Sequence, residues 1–242
     1  MTTLHRTRPI VAIDGPAGAG KSTVARKLAD ALGFVLVDTG AMYRSVALAA
    51  ERAHIAWEDG PGLGALTQSL VDEAALAFER DPARGVRVKL RDEDVSDAIR
   101  TPDMGMGASQ VSAHKEVRAA LLDLQRQAGR GGGVVLEGRD IGTVVFPEAE
   151  AKFFLTARPE IRARRRFDEL VSKAERKGDG AAEITFEETL ADVRQRDEQD
   201  STRAVAPLRQ AETAVFVDSS DRTIDEIVDL MAAHVRARMG MT

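Results

Sequence analysis

The sequence predicts an α/β fold in which a five-stranded parallel sheet is covered by helices on both faces. Five short apolar runs recur along its 242 residues, at 10–13, 35–37, 134–136, 153–155 and 215–217. Uninterrupted apolarity over so few residues is what a strand buried on both faces shows. Each run passes through turn residues into a stretch of helical periodicity, the rhythm of parallel strands joined by crossover helices. Apolar residues make up 43% of the chain, charged residues 30% and aromatics only 4%. The core must therefore be assembled from Val, Leu, Ile and Ala, in the balance of an ordinary globular protein.

The first run enters a glycine-rich loop and then a helix over 24–32. The second ends at Asp38 and Thr39, which are suited to cap the helix that follows. A helix over 115–128 turns Val117, Leu121 and Leu124 inward, and a Gly-Arg-Gly-Gly-Gly stretch at 129–133 ends it. The last helix is announced by Thr223 with Glu226 three residues on, and Ile224, Ile227, Val228, Met231 and Val235 form its inner face. Two stretches break the rhythm. Residues 57–106 begin with a Gly/Pro-rich joint at 58–64, then show an apolar run at 76–79 and alternation at 86–90, as in a half-exposed antiparallel strand. They read as a small inserted subdomain containing antiparallel β-structure. Residues 158–196 hold a basic helix, a polar loop at 178–183 and a second helix from Thr185, with Glu188 in capping-box spacing. Together these form a helical, arginine-rich lid. The core then comprises 1–56, 107–157 and 197–242.

Composition narrows the functional classes. No stretch approaches the ~20 apolar residues of a membrane span, and a cleaved secretory leader is not expected. With no cysteine there is neither a disulfide nor a thiolate metal site, which suits a reducing cytoplasm. A net charge of −5 argues against a nucleic-acid-coating protein. The basic residues are nevertheless uneven, with eight Lys and Arg in 158–177. Such a run is ordinarily a solvated helix face, but a phosphate site elsewhere in the chain gives it another use.

That site follows the first strand, where Gly15, Pro16, Ala17, Gly18, Ala19, Gly20, Lys21, Ser22 and Thr23 match the strand–GxxxxGK[ST]–helix phosphate loop. Its glycines let successive backbone N–H groups converge on one cavity, with the partial positive charge of a helix N-terminus behind them. Lys21 reaches β- and γ-phosphates, and the Ser22 hydroxyl is a Mg²⁺ ligand. The motif identifies a nucleotide-phosphate binder without naming a reaction.

Two further segments fall at strand ends, where ligands of open α/β sheets bind. One runs from Asp38 through Tyr43 and Arg44, the other from Glu137 through Arg139 and Asp140 to Phe146. Taken singly each is weak, since Asp38 can be a cap and Arg139–Asp140 a local ion pair. Together with Ala-Ser-Gln-Val around Ser109 and Arg-Asp-Glu-Gln-Asp-Ser-Thr-Arg over 196–203, in this order, they resemble the bacterial cytidylate kinases. The likeness extends from near residue 10 to near 220, with Glu137 standing where that family more often has Asp.

The resemblance implies ATP as phosphoryl donor, Mg²⁺ as cofactor, CMP or dCMP as acceptor, and a monomer. It places ATP on Lys21 and the loop amides, and the acceptor phosphate on Thr39, Arg44, Arg139 and Arg203, with Tyr43 lining that pocket. Ser109, Arg118 and Asp140 would read cytosine, Arg196 and Asp200 would hold the ribose, and Arg162 and Arg165 would close on the transferring group. The chemistry agrees. A phosphate acceptor is largely ionised at neutral pH, its second pKa being near ~6, so neutralising and aligning two polyanions matters more than a general base. The histidines, His5, His54, His114 and His234, lie outside every motif. Kinases for adenylate, uridylate or shikimate are the nearest alternatives. A GTPase is disfavoured by the lack of an Asn-Lys-x-Asp motif.

Overall fold

The computed structural model describes residues 8–81, 85–177 and 184–239. Its main sheet is built from β1 (Ile10–Asp14), β2 (Val35–Asp38), β6 (Val134–Gly138), β7 (Ala151–Thr156) and β8 (Val215–Asp218), in the order β2-β6-β1-β7-β8. All four pairings are parallel. The central strand β1 is buried throughout, as its unbroken apolar sequence requires. Alternation along β1 divides the core. Val11 and Ile13 face α1 (Lys21–Leu32) and α8 (Ile224–Arg238), whereas Ile10 and Ala12 join Ile141, Val145 and Phe146 on the opposite face, where Leu122 of α5 (Lys115–Gly129) packs.

The capping box of α8 is formed, with the Thr223 side chain accepting from the Glu226 N–H and the Glu226 carboxylate from the Thr223 N–H. The expected strands and the two long helices appear at their places, although α1 starts at Lys21, three residues before the apolar pattern shows it.

A third apolar cluster lies beside the sheet, where α2 (Thr39–Arg52), α3 (Gly60–Asp72), α4 (Pro102–Val111) and α5 meet the three-stranded antiparallel sheet β3 (Leu76–Asp81), β4 (Gly85–Leu90) and β5 (Glu93–Asp94). The antiparallel insertion is therefore present, but the supposed joint at 58–64 is the beginning of α3. Asp59 caps it by accepting from Gly62 N–H, and Pro61 stands in the first turn, where its missing donor is harmless. The glycines there serve packing: a Cβ on Gly64 would lie 2.5 Å from Cβ of Glu116 on α5. The limit placed at residue 106 falls within α4, a helix the sequence reading missed.

Of the basic stretch, α6 (Pro159–Lys177) and α7 (Phe186–Thr202) form an adjoining helix pair. The polar loop at 178–183 lies outside the described residues. None of the described helices is long and apolar enough to cross a membrane.

Candidate active site

The loop after β1 is confined from both sides. A Cβ on Gly15 would overlap the carbonyl oxygen of Leu155 in β7, and Gly20, the residue preceding α1, has φ +90, where only glycine is unstrained. Lys21 is buried at the first helical position and donates to Pro16 O at 2.7 Å. Burial, and then the Arg139 charge, pull its pKa below the usual lysine range. Ser22 Oγ donates to Glu137 Oε2 at 2.9 Å, while Glu137 Oε1 is buried with no hydrogen-bond partner. Burial and repulsion from Asp38 hold this carboxyl above its ordinary pKa.

Arg139, Asp140, Asp200, Arg203 and Arg118 meet near the same strand ends in a largely buried network. Arg139 Nε donates to Asp200 at 2.6 Å, and Arg203 lies 4.0 Å from Asp200 and 3.8 Å from Asp140. Asp140 is paired with Arg118, both side chains being under 10% exposed, and the Arg118 guanidinium sits over the Tyr43 ring. The local pair between Arg139 and Asp140 is not formed, because each finds a partner across the site.

Burial acts to raise the Asp200 pKa, but Arg139 outweighs it and holds the carboxyl below its ordinary range. Two donors stand out: Arg203 Nη2 and Arg44 Nε are buried without hydrogen-bond partners. Such donors are costly unless an acceptor arrives. Asp38 does cap α2, accepting from Ala41 N–H, and also pairs with Arg44 at 2.8 Å. Thr39 Oγ1 donates to Glu137 O at 2.7 Å.

Ser109 and Arg196 come from the walls formed by α4 and α7. Ser109 Oγ donates to Gln199 at 3.3 Å, and Arg196 Nη2 lies over Gly105, 2.9 Å from where a Cβ would stand. Burial and the nearby charges of Arg166 and Arg139 lower the Arg196 pKa.

The two arginines assigned to the lid lie against the phosphate loop. Arg162, 3% exposed, donates to Ala157 O and Ala17 O and makes a two-pronged pair with Asp197. Arg165 is bonded to Ser219 Oγ and O, near Gly20. Both contact the phosphate loop, Arg162 at Ala17 and Gly18 and Arg165 at Gly20. Sequence reading passed over Arg166, over Asp197, and over Asp14, a buried acid ending β1. Arg166 left its signal in the basic run at 158–177, and Asp14 as an acidic residue closing an otherwise apolar run.

Among the described residues no three His, Cys, Asp or Glu are grouped to enclose a metal. The Ser22 hydroxyl and the unsatisfied Glu137 oxygen are nevertheless hard oxygen donors, the type Mg²⁺ takes when it keeps most of its water and binds mainly through nucleotide phosphates.

A parallel sheet whose central first strand opens on this loop, facing buried guanidinium groups, has the architecture of a P-loop phosphotransferase. A sequence model of the cytidylate kinase family matches residues 11–237, and the chain belongs to that family. It is 50% identical over 239 residues to a cytidylate kinase from a Geobacter species, covering 99% of this chain and 97% of the relative. A Geobacter sulfurreducens cytidylate kinase is 51% identical over 238 residues, covering 98% and 97%. One from Solibacter usitatus is 43% identical over 239 residues, covering 99% and 97%.

Proposed function

We propose that the protein transfers the γ-phosphoryl group of ATP to CMP or dCMP, giving ADP and CDP or dCDP. The observation that carries this reading is the cluster of charges in which Lys21 lies near Arg139 and Asp200, and Arg203 links Asp200 to the buried Asp140–Arg118 pair. It joins a donor-phosphate loop to a site bearing both a carboxylate acceptor and a guanidinium donor for a polar base.

In this reading Lys21 and the amides of residues 15–23 hold the donor phosphates. Thr39, Arg44, Arg139 and Arg203 take the acceptor phosphate, beside Tyr43. The unpartnered Nε of Arg44 and Nη2 of Arg203 then receive phosphate oxygens, so the acceptor completes hydrogen bonds that the protein leaves open. Arg196 and Asp200 hold the ribose. Arg118, Ser109 and Asp140 read the base. Cytosine presents an amino donor to a carboxylate, whereas uracil presents a carbonyl oxygen to it and leaves buried polar groups unpaired.

Ser22 and Glu137 are the residues that would hold Mg²⁺, which would supply charge neutralisation to the donor phosphates. Residues 57–106 are the acceptor-side insertion, and 158–196 the lid. Within that lid Arg162 and Arg165 hold the phosphate loop, while Arg166, near Arg196, faces the transferred group. No general base is required, because the attacking phosphate oxygen is already ionised. The cytoplasm, with its reduced thiols and nucleotide pools, is the compartment this chemistry fits.

The test is direct. The purified protein with ATP, CMP and Mg²⁺ is expected to form CDP and ADP in equal amounts, separable by anion-exchange chromatography. Chelation of the metal is expected to stop the reaction. ADP formed without CDP would reject the assignment.

A further inference from the structure

Asp14 closes the central strand and lies next to the first glycine of the phosphate loop. It is 3% exposed and shares the sheet face of Ile10 and Ala12, where an apolar side chain would be expected. Its two oxygens are both used. Oδ1 accepts from the N–H of Ile141 at 2.8 Å, and Oδ2 from the N–H of Gly142 at 2.7 Å. These are the first two N–H groups of the π-helical turn Ile141–Val145, and the residue preceding that turn is Asp140.

An aspartate in that preceding position ordinarily folds back and accepts from the turn's own leading N–H groups. Asp140 does not do so: its side chain makes no capping bond and goes instead to Arg118. Its backbone oxygen alone serves the turn, accepting from Val144 and Val145 N–H.

We infer that Asp14 is a positioning residue for acceptor-base selection, capping the 141–145 turn from another strand and so keeping the Asp140 carboxylate free to face the base. The inference rests on Asp140 reading the base, as proposed above. Without Asp14, the freed N–H groups and the Asp140 carboxylate are natural partners, and Asp140 turns back onto its own turn and away from Arg118. The electrostatics agree with a residue kept for position. Burial outweighs the two N–H bonds and brings the Asp14 pKa up to about 6, with the Asp140 charge adding to the rise. Lys21, Arg139 and Lys152 are the cations around it. The same carboxylate ties the donor loop, which begins at Gly15, to the base-reading turn.

The experiment compares CMP and UMP as acceptors at saturating ATP for wild type, Asp14→Asn, Asp140→Ala and the double variant, with circular dichroism to verify folding. Asn retains one acceptor and presents an amide donor to the second N–H. In Asp14→Asn the ratio of CMP to UMP kcat/KM is expected to fall roughly tenfold, the scale of losing one good cap, with the KM for ATP within about twofold of wild type. Adding Asp14→Asn to Asp140→Ala is expected to narrow the ratio no further, because the residue it positions is gone. If Asp140→Ala narrows the ratio while Asp14→Asn lowers both acceptors equally, the positioning role is overturned and base reading by Asp140 stands. If Asp140→Ala leaves the ratio unchanged, both fall. Should Asp14→Asn not fold, Asp14→Glu, which keeps the carboxylate but displaces it by one methylene, is read by the same ratio.

Discussion

Single side chains divide here into those whose roles are visible in the sequence and those whose partners are distant along the chain. Lys21 is of the first kind, since its loop is local and fixed by spacing. Lys21→Ala is expected to keep the fold and lose at least ~10³-fold in kcat, because the ammonium acts where negative charge gathers in the transition state. Circular dichroism beside a coupled ADP assay checks this. Asp140→Ala is expected to lower CMP efficiency more than UMP efficiency by ~2–3 kcal/mol, the scale of leaving a buried polar group unsatisfied. A loss equal for both acceptors would mean that Asp140 only orders its neighbours.

Arg162 is of the second kind. The family resemblance implies that it closes on the transferred phosphoryl group, and in the structure Asp197, 35 residues away, and Ala17 of the phosphate loop hold it. No local pattern announces such a partner. Arg162→Ala should therefore appear as lost stability as well as lost activity, because it strands the half-buried Asp197 carboxylate and the Ala17 and Ala157 carbonyls. By contrast Arg166→Ala is expected to lower kcat with little change in melting temperature, its own pairing being the exposed contact with Glu169.

At the level of elements, strands and helix ends were legible wherever periodicity or capping is a local property. The five core strands and the Thr223–Glu226 box are of this kind. The start of α3 was not legible, because Gly60, Pro61, Gly62 and Gly64 have the composition of a turn, while Gly60 and Gly64 in fact lie close against His114 and Glu116. Gly64→Ala is expected to destabilise by about 1–3 kcal/mol, because the added methyl meets Glu116 and α3 must move off α5. Denaturant unfolding measures it, and a neutral effect would show that the two helices separate freely.

Asp14 gives β1 a pH dependence of definite sign. Its folded pKa of about 6 lies above its ordinary 3.8, so the native state holds this proton more tightly than the unfolded chain. The stability that goes with it is complete below about pH 3.8 and is lost as pH rises to about 6, by roughly 3 kcal/mol. Wild type is therefore expected to lose more stability than Asp14→Asn between pH 4 and 6.5, and parallel curves would contradict a raised pKa.

Across the whole molecule, the phosphate loop and the clustered arginines surround one set of strand ends, with β1 at the centre ending in Asp14 and leading into the phosphate loop. Buried guanidinium nitrogens left without hydrogen-bond partners on Arg44 and Arg203, and a carboxyl held above its ordinary pKa, are the marks of a site built around ligand charge rather than for stability. Ligand binding should accordingly stabilise the fold. At a hundred times its dissociation constant a nucleotide adds ~2.7 kcal/mol, so CMP is expected to raise the melting temperature clearly and UMP, at the same concentration, much less. The most direct measurement is ADP formation from ATP with CMP, dCMP, UMP, AMP, GMP and shikimate compared side by side at equal concentration. CMP and dCMP are expected to exceed every other acceptor by at least tenfold in kcat/KM, whereas equal or faster turnover of UMP, AMP or shikimate would contradict the account.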